Sequence, residues 1–323
     1  MISTYLFTET GVVTGVEAST KSLSGVGENA LLWIDLRSYT DKEIHDLAAV
    51  FDFHPVTVQS CIDAYRRPHL WEFENYFYAN LTTIKKSTSA LHSLRGTELH
   101  IYVGSQYVIT ASREKAPEAV ERALEQFKTS HTICSRGPLY AVYILVEDLV
   151  ETYFPYVEKL DADADKVEDL MLDNPQKKTL EHLFSLKRRG QELRRLLGPQ
   201  RDVFSELARR EFAFVDGENR IYFQDSYNRI VRIFDMLDTV REVLSASLDV
   251  YLSSVSNRLN EVMKILTIVS TIMMVLGFIT GFYGMNFTHL PWLEAPNAFR
   301  NLSIVMFVMV VGMLYAFRRK GWM

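Results

Sequence analysis

Hydrophobic positions are spread unevenly along this chain, with two long apolar runs at its C-terminal end. Ile265–Tyr283 and Asn301–Phe317 contain no Asp, Glu, Lys or Arg. Each run comes close to the roughly 20 apolar residues that an α-helix needs to cross the hydrocarbon core of a bilayer. The pattern therefore predicts two membrane-spanning helices joined by a short loop over Phe287–Arg300.

The first apolar run continues a helical pattern that begins far upstream. No Pro or Gly interrupts the chain from Tyr222 to Leu276, which favours a single helix that passes from a stalk directly into the membrane. Two other helical stretches precede it. They are Tyr140–Leu172, with a kink at Pro155, and Leu180–Phe212, with a kink or break at Gly198-Pro199.

The N-terminal part of the chain mixes strand and helix signals. Runs rich in aromatic and β-branched residues predict strands at Ala30–Asp35, Tyr76–Leu81, Leu99–Val103 and Tyr107–Thr110. Helical patterns cover Asp41–Phe51 and Pro117–Lys128. We therefore expect an α/β cytoplasmic domain over residues 1–135, a helical cytoplasmic domain and stalk over 136–262, and a transmembrane hairpin over 263–323.

Composition and charge favour a cytoplasmic location for the body of the chain. The 323 residues carry a net charge of −5, which does not suggest nucleic acid as a partner. The N-terminus lacks the basic leader and the long apolar stretch of a signal peptide. Arg318-Arg319-Lys320 directly follows the second apolar run, and basic residues favour the cytoplasmic side of a membrane. We therefore expect both termini in the cytoplasm.

A row of small, polar and Met residues runs along the predicted long helix. Steps of four and three residues from Asp249 give Ser253, Ser256, Asn260, Met263, Thr267, Ser270, Met274, Gly277, Gly281 and Gly284. A period of 3.5 residues keeps such a row facing a common axis. We call these positions, with Asp249, the polar stripe.

Two interpretations of the polar stripe stay open on the pattern alone. Small residues and Ser or Thr favour close packing between membrane helices, as in a membrane-anchored scaffold or sensor that passes no ions. Alternatively, several copies of the stripe line a water-filled lumen, which requires a homo-oligomer with cyclic symmetry. We favour the lumen, because the stripe extends into the soluble stalk and ends beside Asn286.

The polar stripe carries almost no charge within the predicted membrane span, and this bears on selectivity. Mg²⁺ gives up its waters reluctantly, so Asn286 amides and Gly284 carbonyls could accept hydrogen bonds from the water shell of a hydrated ion. Met263 and Met274 would form apolar constrictions that gate by dewetting.

Other motifs point to no catalytic or metal centre. Asp161–Asp165 resembles the start of a calcium loop, but Lys166 stands where that loop needs Gly, so we expect a solvated acidic helix face. Cys61 and Cys134 are isolated in the sequence and are expected to be reduced. His289 is expected to be an ordinary loop residue. With no nucleophile, metal cluster or phosphate loop, we expect neither an enzyme nor a cofactor.

Several motifs resemble the CorA family of divalent cation channels. They are His54-Pro55, Arg67-Pro68, Glu98–Thr110, Tyr222–Asp225, Leu248–Arg258, Asn260–Thr267 and Gly281–Phe287, the last of which contains Gly284-Met285-Asn286. The resemblance spans most of the chain. It implies a funnel-shaped homopentamer in the bacterial inner membrane, with an axial pore lined by the first membrane helix.

The resemblance also implies roles for single residues. Gly284, Met285 and Asn286 would form the outer selectivity filter, and Asn260, Met263 and Met274 would be pore-lining gate positions. In the family, regulatory divalent ions bind between neighbouring subunits, at a carboxylate after the His-Pro pair and at a partner that corresponds here to Asp225.

The sequence departs from the family pattern in two places. Gln59-Ser60 stands where the family often has Glu-Asp, so Asp63 is left as the substitute partner for Asp225, and we expect weak Mg²⁺ control of the closed state. The outer loop reads Leu290–Leu293 in place of the usual Met-Pro-Glu-Leu. We expect a divalent cation channel whose preferred ion is Mg²⁺. The alternative is a ZntB-like transporter of Zn²⁺, Co²⁺ or Ni²⁺, with or without proton coupling.

Overall fold

The computed structural model describes residues 2–8, 11–23, 30–63, 67–84, 96–113, 117–129, 136–173, 176–210, 220–285 and 296–322. The chain divides into two compact units, Met1–Leu248 and Asp249–Met323. The three domains expected from the sequence, 1–135, 136–262 and 263–323, stay a prediction, because a division into compact units does not test those boundaries.

Seven strands among the described residues of the first unit form a single sheet. They are β1 (Ile2–Thr8), β2 (Gly11–Thr14), β3 (Leu31–Arg37), β4 (His69–Glu72), β5 (Tyr76–Ile84), β6 (Gly96–Gly104) and β7 (Tyr107–Ser112). Their order is β2-β1-β3-β7-β6-β5-β4. The β3–β7 pair is parallel and the other pairs are antiparallel. All four predicted strand segments are confirmed, whereas β1, β2 and β4 were not predicted.

Helices of the first unit follow and flank the strands. They are α1 (Asp41–Phe51), α2 (Pro55–Ile62), α3 (Glu118–Thr129), α4 (Gly137–Glu151), α5 (Phe154–Asp173) and α6 (Lys177–Arg209). Helix α1 begins with a capping box, in which the Thr40 hydroxyl accepts from the Glu43 amide and the Glu43 carboxylate accepts from the Thr40 amide. This reciprocal pair satisfies two of the free donors at the helix start.

The sheet is buried on both faces, which explains its nearly continuous apolar strands. On one face, Phe53 stacks on Tyr102 with ring centroids 4.1 Å apart. On the other face, Phe127 of α3 makes edge contacts with Phe7 and Trp33 at 5.6 and 5.5 Å. The core of this unit therefore consists of a sheet between two helical layers, an α/β architecture as predicted.

Two helix predictions in this unit need correction. Tyr140–Leu172 is not one helix, because α4 ends at Glu151 and α5 begins at Phe154. Pro155 has no N–H to donate to the preceding turn, so the chain restarts a helix there, where a proline is tolerated. Conversely, α6 continues through Pro199, so of the kink or break expected at Gly198-Pro199 the break does not occur.

The longest helix, α7, spans Arg220–Tyr283, and α8 spans Ala298–Arg319. The prediction of an unbroken stalk and membrane helix is confirmed. Both helices are long and apolar enough to cross a membrane. In an apolar 18-residue segment of each helix, only 6% of the residues of α7 and 0% of those of α8 are buried within the chain. Helices this apolar and this uncovered need lipid or another protein surface around them.

Candidate functional site

The polar stripe lies on an exposed face of α7. Every stripe position from Asp249 to Gly284 is exposed in the single chain, with Met263 at 58% and Met274 at 73%. Because α7 is one continuous helix, the heptad spacing read from the sequence places these residues in a row along one side. Nothing in the described part of the chain covers that row.

A different set of residues on α7 is covered within the second unit. Ile268 is buried, and Thr271, Ile272, Val275, Leu276, Ile279 and Tyr283 are partly buried. At about 100° of rotation per residue, this set lies roughly opposite the membrane part of the polar stripe. The membrane helix thus has a covered apolar face and an exposed face of small and polar residues.

Hydroxyl groups on α7 bond to its own backbone. The Thr267 hydroxyl donates to the Met263 carbonyl at 2.7 Å, and the Thr280 hydroxyl donates to the Leu276 carbonyl at 3.0 Å. These bonds use the hydroxyl proton, but each oxygen keeps acceptor capacity. Thr267 therefore presents an oxygen acceptor on the polar stripe, which suits hydrogen bonding to water.

The helix ends where the predicted filter begins. The Gly284 amide donates to the Thr280 carbonyl at 2.9 Å, and the Met285 amide donates to the Phe282 carbonyl at 3.4 Å. A Cβ atom on Gly284 would lie 2.9 Å from the Thr280 carbonyl oxygen, so a larger residue here would force the backbone of this turn to shift. The third filter residue, Asn286, and the loop with His289 lie outside the described residues.

An open cavity of about 550 Å³ lies beside the lower part of the stripe. Its lining consists of Asn257, Asn260, Glu261, Met263, Lys264, Thr267 and Trp322. Three of these, Asn260, Met263 and Thr267, are predicted pore-lining residues. The structure therefore brings them together on one concave surface.

The residues proposed for regulation lie in the first unit. Ser60 is fully buried and accepts a hydrogen bond from the Tyr78 hydroxyl at 2.9 Å. Gln59 is exposed, and its amide donates to the Asp63 carboxylate at 2.6 Å. Of the two residues that replace the acidic pair, only Gln59 is thus at the surface, and it already bonds to Asp63.

Asp225 lies on the first part of α7. Its carboxylate is 3.3 Å from the Arg229 Nε atom. The Arg229 guanidinium also contacts Glu147 and Glu151 of α4. This cluster is not among the sites predicted from the sequence. The four-residue spacing of Asp225 and Arg229 was visible in the sequence, but the approach of α4 was not.

A buried polar network beneath α2 was also missed. The Tyr78 hydroxyl lies 2.7 Å from His100 Nδ1, and burial lowers the pKa of His100 to about 3. Cys61 contacts the Tyr102 hydroxyl at 3.2 Å, and burial raises the pKa of its thiol to about 12. Both groups are therefore neutral at physiological pH, and Cys61 is a core residue rather than a reactive thiol. Cys134 lies outside the described residues.

The charged motifs of the helical region are parts of helix surfaces. Asp161–Asp165 lies within α5, where Lys166 pairs with Asp163 at 3.2 Å. Arg194 of α6 pairs with Asp238 of α7. Across the described ranges, no three His, Cys, Asp or Glu side chains are placed to hold a metal ion. A solvated acidic face, as predicted, describes Asp161–Asp165 better than a calcium loop.

Comparison with known proteins places these features in a family. The sequence model of the CorA-like Mg²⁺ transporter protein family matches residues 28–319. The cobalt/magnesium transport protein CorA of Thermotoga maritima is 33% identical over 293 residues, which cover 90% of this chain and 83% of that protein.

Solved structures give a matching picture of the fold. The complete structure of the CorA magnesium transporter from Methanocaldococcus jannaschii has a TM-score of 0.82 and 26% identity, and the match covers 100% of this chain and 99% of that one. The ZntB cytoplasmic domain from Vibrio parahaemolyticus matches with a TM-score of 0.60 and 12% identity, over 78% of this chain and 98% of that one. The second match concerns the fold alone.

Proposed function

The chain belongs to the family of CorA-like Mg²⁺ transporter proteins, and from that premise we propose that it conducts hydrated divalent cations through an axial pore of a homopentamer. Family membership makes it a divalent cation transporter of a membrane, with two candidate membrane helices. The pore, the filter, the number of subunits and the preferred ion are the parts that we propose.

One observation carries the proposal, namely that the polar stripe is exposed while the opposite face of the same helix is covered. Within the membrane run, Thr267 and Ser270 place hydroxyl oxygens on this face, and an oxygen in hydrocarbon loses the hydrogen bonds that it could accept from water. A water-filled lumen removes that cost. It also explains why the stripe continues from the membrane run into the soluble stalk.

A second row on α7 supports assembly around that lumen. Its members are exposed apolar residues, each directly before a stripe position: Leu252, Val255, Leu259, Val262, Leu266, Val269 and Met273. We call this the apolar row. It lies about 100° around the helix from the stripe, where a neighbouring copy would pack if the stripes faced a common axis.

The first three members of the apolar row give the strongest argument for contact with another copy of α7. Leu252, Val255 and Leu259 are 56%, 40% and 61% exposed, yet they alternate with Ser, Asn and Arg side chains that do not belong in hydrocarbon. Lipid is therefore a poor cover for them, and another copy of α7 is a good one. A ring of such contacts closes with cyclic symmetry, and the family resemblance suggests five copies.

The chemistry of the proposed lining favours a hydrated ion. Stripe positions from Asn260 to Gly284 carry no charge, so they offer hydrogen bonds to a water shell rather than ligands to a bare cation. We assign the filter to Gly284, Met285 and Asn286, and the gate to Met263 and Met274. A divalent cation that enters a negative-inside cell gains about 4.6 kcal/mol per 100 mV, so no other energy source is required.

Mg²⁺ is the ion we propose first, with Co²⁺ next, in keeping with what the family and the Thermotoga relative are named for. Zn²⁺ or Ni²⁺ transport is the alternative. We further propose that the protein resides in a bacterial inner membrane with both termini in the cytoplasm, because Arg318, Arg319 and Lys320 lie at the C-terminal end of α8.

Flux into proteoliposomes tests this function. Purified protein is reconstituted around a metal-sensitive dye, and Mg²⁺ uptake is measured alone and in competition with Zn²⁺. We expect Mg²⁺ uptake that Asn286→Ala strongly reduces, whereas Asn301→Ala, at the start of α8 and off the stripe, retains it. Absence of uptake for every divalent ion would favour the non-conducting scaffold instead, and uptake that Asn286→Ala leaves unchanged would refute the filter assignment.

A further inference from the structure

Arg229 on α7 lies among three carboxylates, and each of its three guanidinium nitrogens faces a different one. Nε is 3.3 Å from Asp225, Nη2 is 3.1 Å from Glu147, and Nη1 is 2.5 Å from Glu151. Asp225 precedes Arg229 by one turn on the same helix, whereas Glu147 and Glu151 are one turn apart on α4. The guanidinium thus connects two helices and neutralises part of a local charge of about −3.

The arrangement is a network rather than an isolated surface ion pair. The side chains of Arg229 and Glu147 are 34% and 31% exposed, and those of Glu151 and Asp225 are 47% and 54% exposed, so the Glu147 side of the cluster is the part shielded from water. Tyr143 borders it. Burial raises the pKa of its phenol, and the charges of Glu147 and Asp225 raise it further. The planar guanidinium of Arg229 contacts three carboxylates and is therefore held in one geometry, whereas an isolated ion pair on the surface is not.

We propose that Arg229 acts as a resident cation that holds Asp225 and ties α7 to α4, so that this contact does not depend on a divalent ion. The inference rests on the proposed function, because it concerns how that pore would be regulated. Asp225 is the carboxylate that the family resemblance associates with regulatory ions. Here it has a covalently attached cation 3.3 Å away.

Two other observations agree with a tie that needs no metal. Gln59 and Ser60 supply no carboxylate to the proposed pairing with Asp225, and Ser60 is buried in the domain core. The remaining candidate, Asp63, already accepts a hydrogen bond from Gln59 at 2.6 Å. Across the described ranges, no group of three metal-binding side chains is placed to hold an ion. An arginine within the chain is present at every Mg²⁺ concentration, so the tie persists when the ion is withdrawn.

Removing the guanidinium should convert the tie into an ion-dependent one. Without Arg229 the three carboxylates repel each other, and a hydrated Mg²⁺ held through one or two carboxylates would relieve that repulsion. If Mg²⁺ binds these carboxylates with a dissociation constant of about 1 mM, about 20 mM Mg²⁺ would lower the fraction of molecules in which α7 has separated from α4 roughly twentyfold. In the wild-type protein the same addition should change that fraction less than about twofold.

Limited proteolysis of the full-length protein in liposomes measures this difference, because cleavage of a transiently opened segment follows its equilibrium population. Cleavage rates are compared in chelator, in MgCl₂ and in NaCl of equal ionic strength. The variants are Arg229→Gln, Arg229→Lys and Arg232→Gln. Arg232 is an exposed arginine on the same helix and serves as the matched control for loss of one positive charge.

We expect strong Mg²⁺ protection of Arg229→Gln that NaCl does not reproduce, and wild-type behaviour of Arg232→Gln. Adding Glu147→Gln and Glu151→Gln to Arg229→Gln should abolish the gained protection. If Arg229→Gln does not fold, Arg229→Lys tests the proposal. A lysine ammonium cannot contact all three carboxylates, so Mg²⁺ should protect this variant from proteolysis several-fold.

Two results would overturn the proposal: Mg²⁺ protection of the Arg229 variants within twofold of wild type, or strong Mg²⁺ protection of the wild-type protein itself. Divalent ion uptake is measured on the same liposomes. Loss of uptake in every sample would argue against the proposed function, whereas normal uptake with unchanged Mg²⁺ protection would argue against the role of Arg229 alone.

Discussion

Gln200 of α6 connects the helical region to the edge of the sheet, and its replacement by leucine tests the energetics of this fold. The side chain is fully buried. Its carbonyl oxygen accepts from the Thr82 amide at 3.1 Å and from the Tyr153 hydroxyl at 3.0 Å, while its NH₂ group donates to the Thr82 carbonyl at 3.0 Å. Thr82 lies on β5 beyond the segment paired with β4, so Gln200 takes the place of a neighbouring strand.

The loss of unfolding free energy depends on which polar groups lose their hydrogen-bond partners. In Gln200→Leu the Thr82 carbonyl keeps its bond from the Tyr153 hydroxyl, at 2.5 Å, but the Thr82 amide loses its acceptor and stays covered by the leucine. One orphaned buried donor costs about 2 kcal/mol. In Tyr153→Phe, Gln200 still satisfies both backbone groups of Thr82, so the free energy of unfolding should fall by only about 1 kcal/mol.

Thermal unfolding of the full-length protein in detergent, followed by intrinsic fluorescence, separates the two variants. For a unit of this size we expect Tm to fall by roughly 4 to 8 °C in Gln200→Leu and by roughly 2 to 4 °C in Tyr153→Phe. Equal shifts, or a larger shift for Tyr153→Phe, would refute the reasoning that the orphaned Thr82 amide dominates the cost.

Two other predictions concern pH and the turn that precedes Asn286. Burial raises the pKa of Asp148 from 3.8 to about 6, so between these values the folded state holds more protons than the unfolded state and the free energy of unfolding falls as pH rises. Asp148→Asn should therefore raise Tm by about 5 °C at pH 7.5 and by much less near pH 4 in a thermal melt, and equal shifts at both values would contradict this. A Cβ atom at Gly284 would lie 2.9 Å from the Thr280 carbonyl oxygen, so Gly284→Ala should lower dye-reported Mg²⁺ uptake about tenfold. Gly312→Ala, whose Cβ meets nothing within 4 Å, should leave uptake unchanged, and comparable losses in both variants would count against a specific role for the turn.

Much of the fold could be predicted because its elements carry strong local patterns. Helix α1 has a capping box, and β3 is a short, mainly apolar run that is buried from Leu31 to Leu36. Strand β4 has only four residues, too few for a periodic pattern to emerge. The course of α6 through Pro199 was not predictable from local signals, because burial of Leu197, Gln200 and Val203 compensates for the lost hydrogen bond.

The candidate site likewise contains features that could be predicted from the sequence and features that could not. The polar stripe could be read from the sequence because α7 is one helix, so that spacing alone sets which residues share a face. The Arg229 cluster could not, since Glu147 and Glu151 come close to it only through the packing of α4 beside α7. The buried Tyr78–His100 pair likewise depends on the register between β5 and β6, which places Tyr78 opposite Tyr102 and Asn80 opposite His100.

Whether the polar stripe faces water in the assembled protein is the central claim, and substituted cysteines test it most directly. In a Cys134→Ser background, with Cys61 buried at 1% exposure, Ser270→Cys places a thiol on the stripe and Val275→Cys places one on the covered face. Each variant is reconstituted, treated with a water-soluble cationic thiol reagent, and assayed for Mg²⁺ uptake. The account predicts that the reagent blocks uptake through Ser270→Cys and spares Val275→Cys. Uptake through Ser270→Cys that the reagent does not affect, or an equal block of both variants, would contradict it.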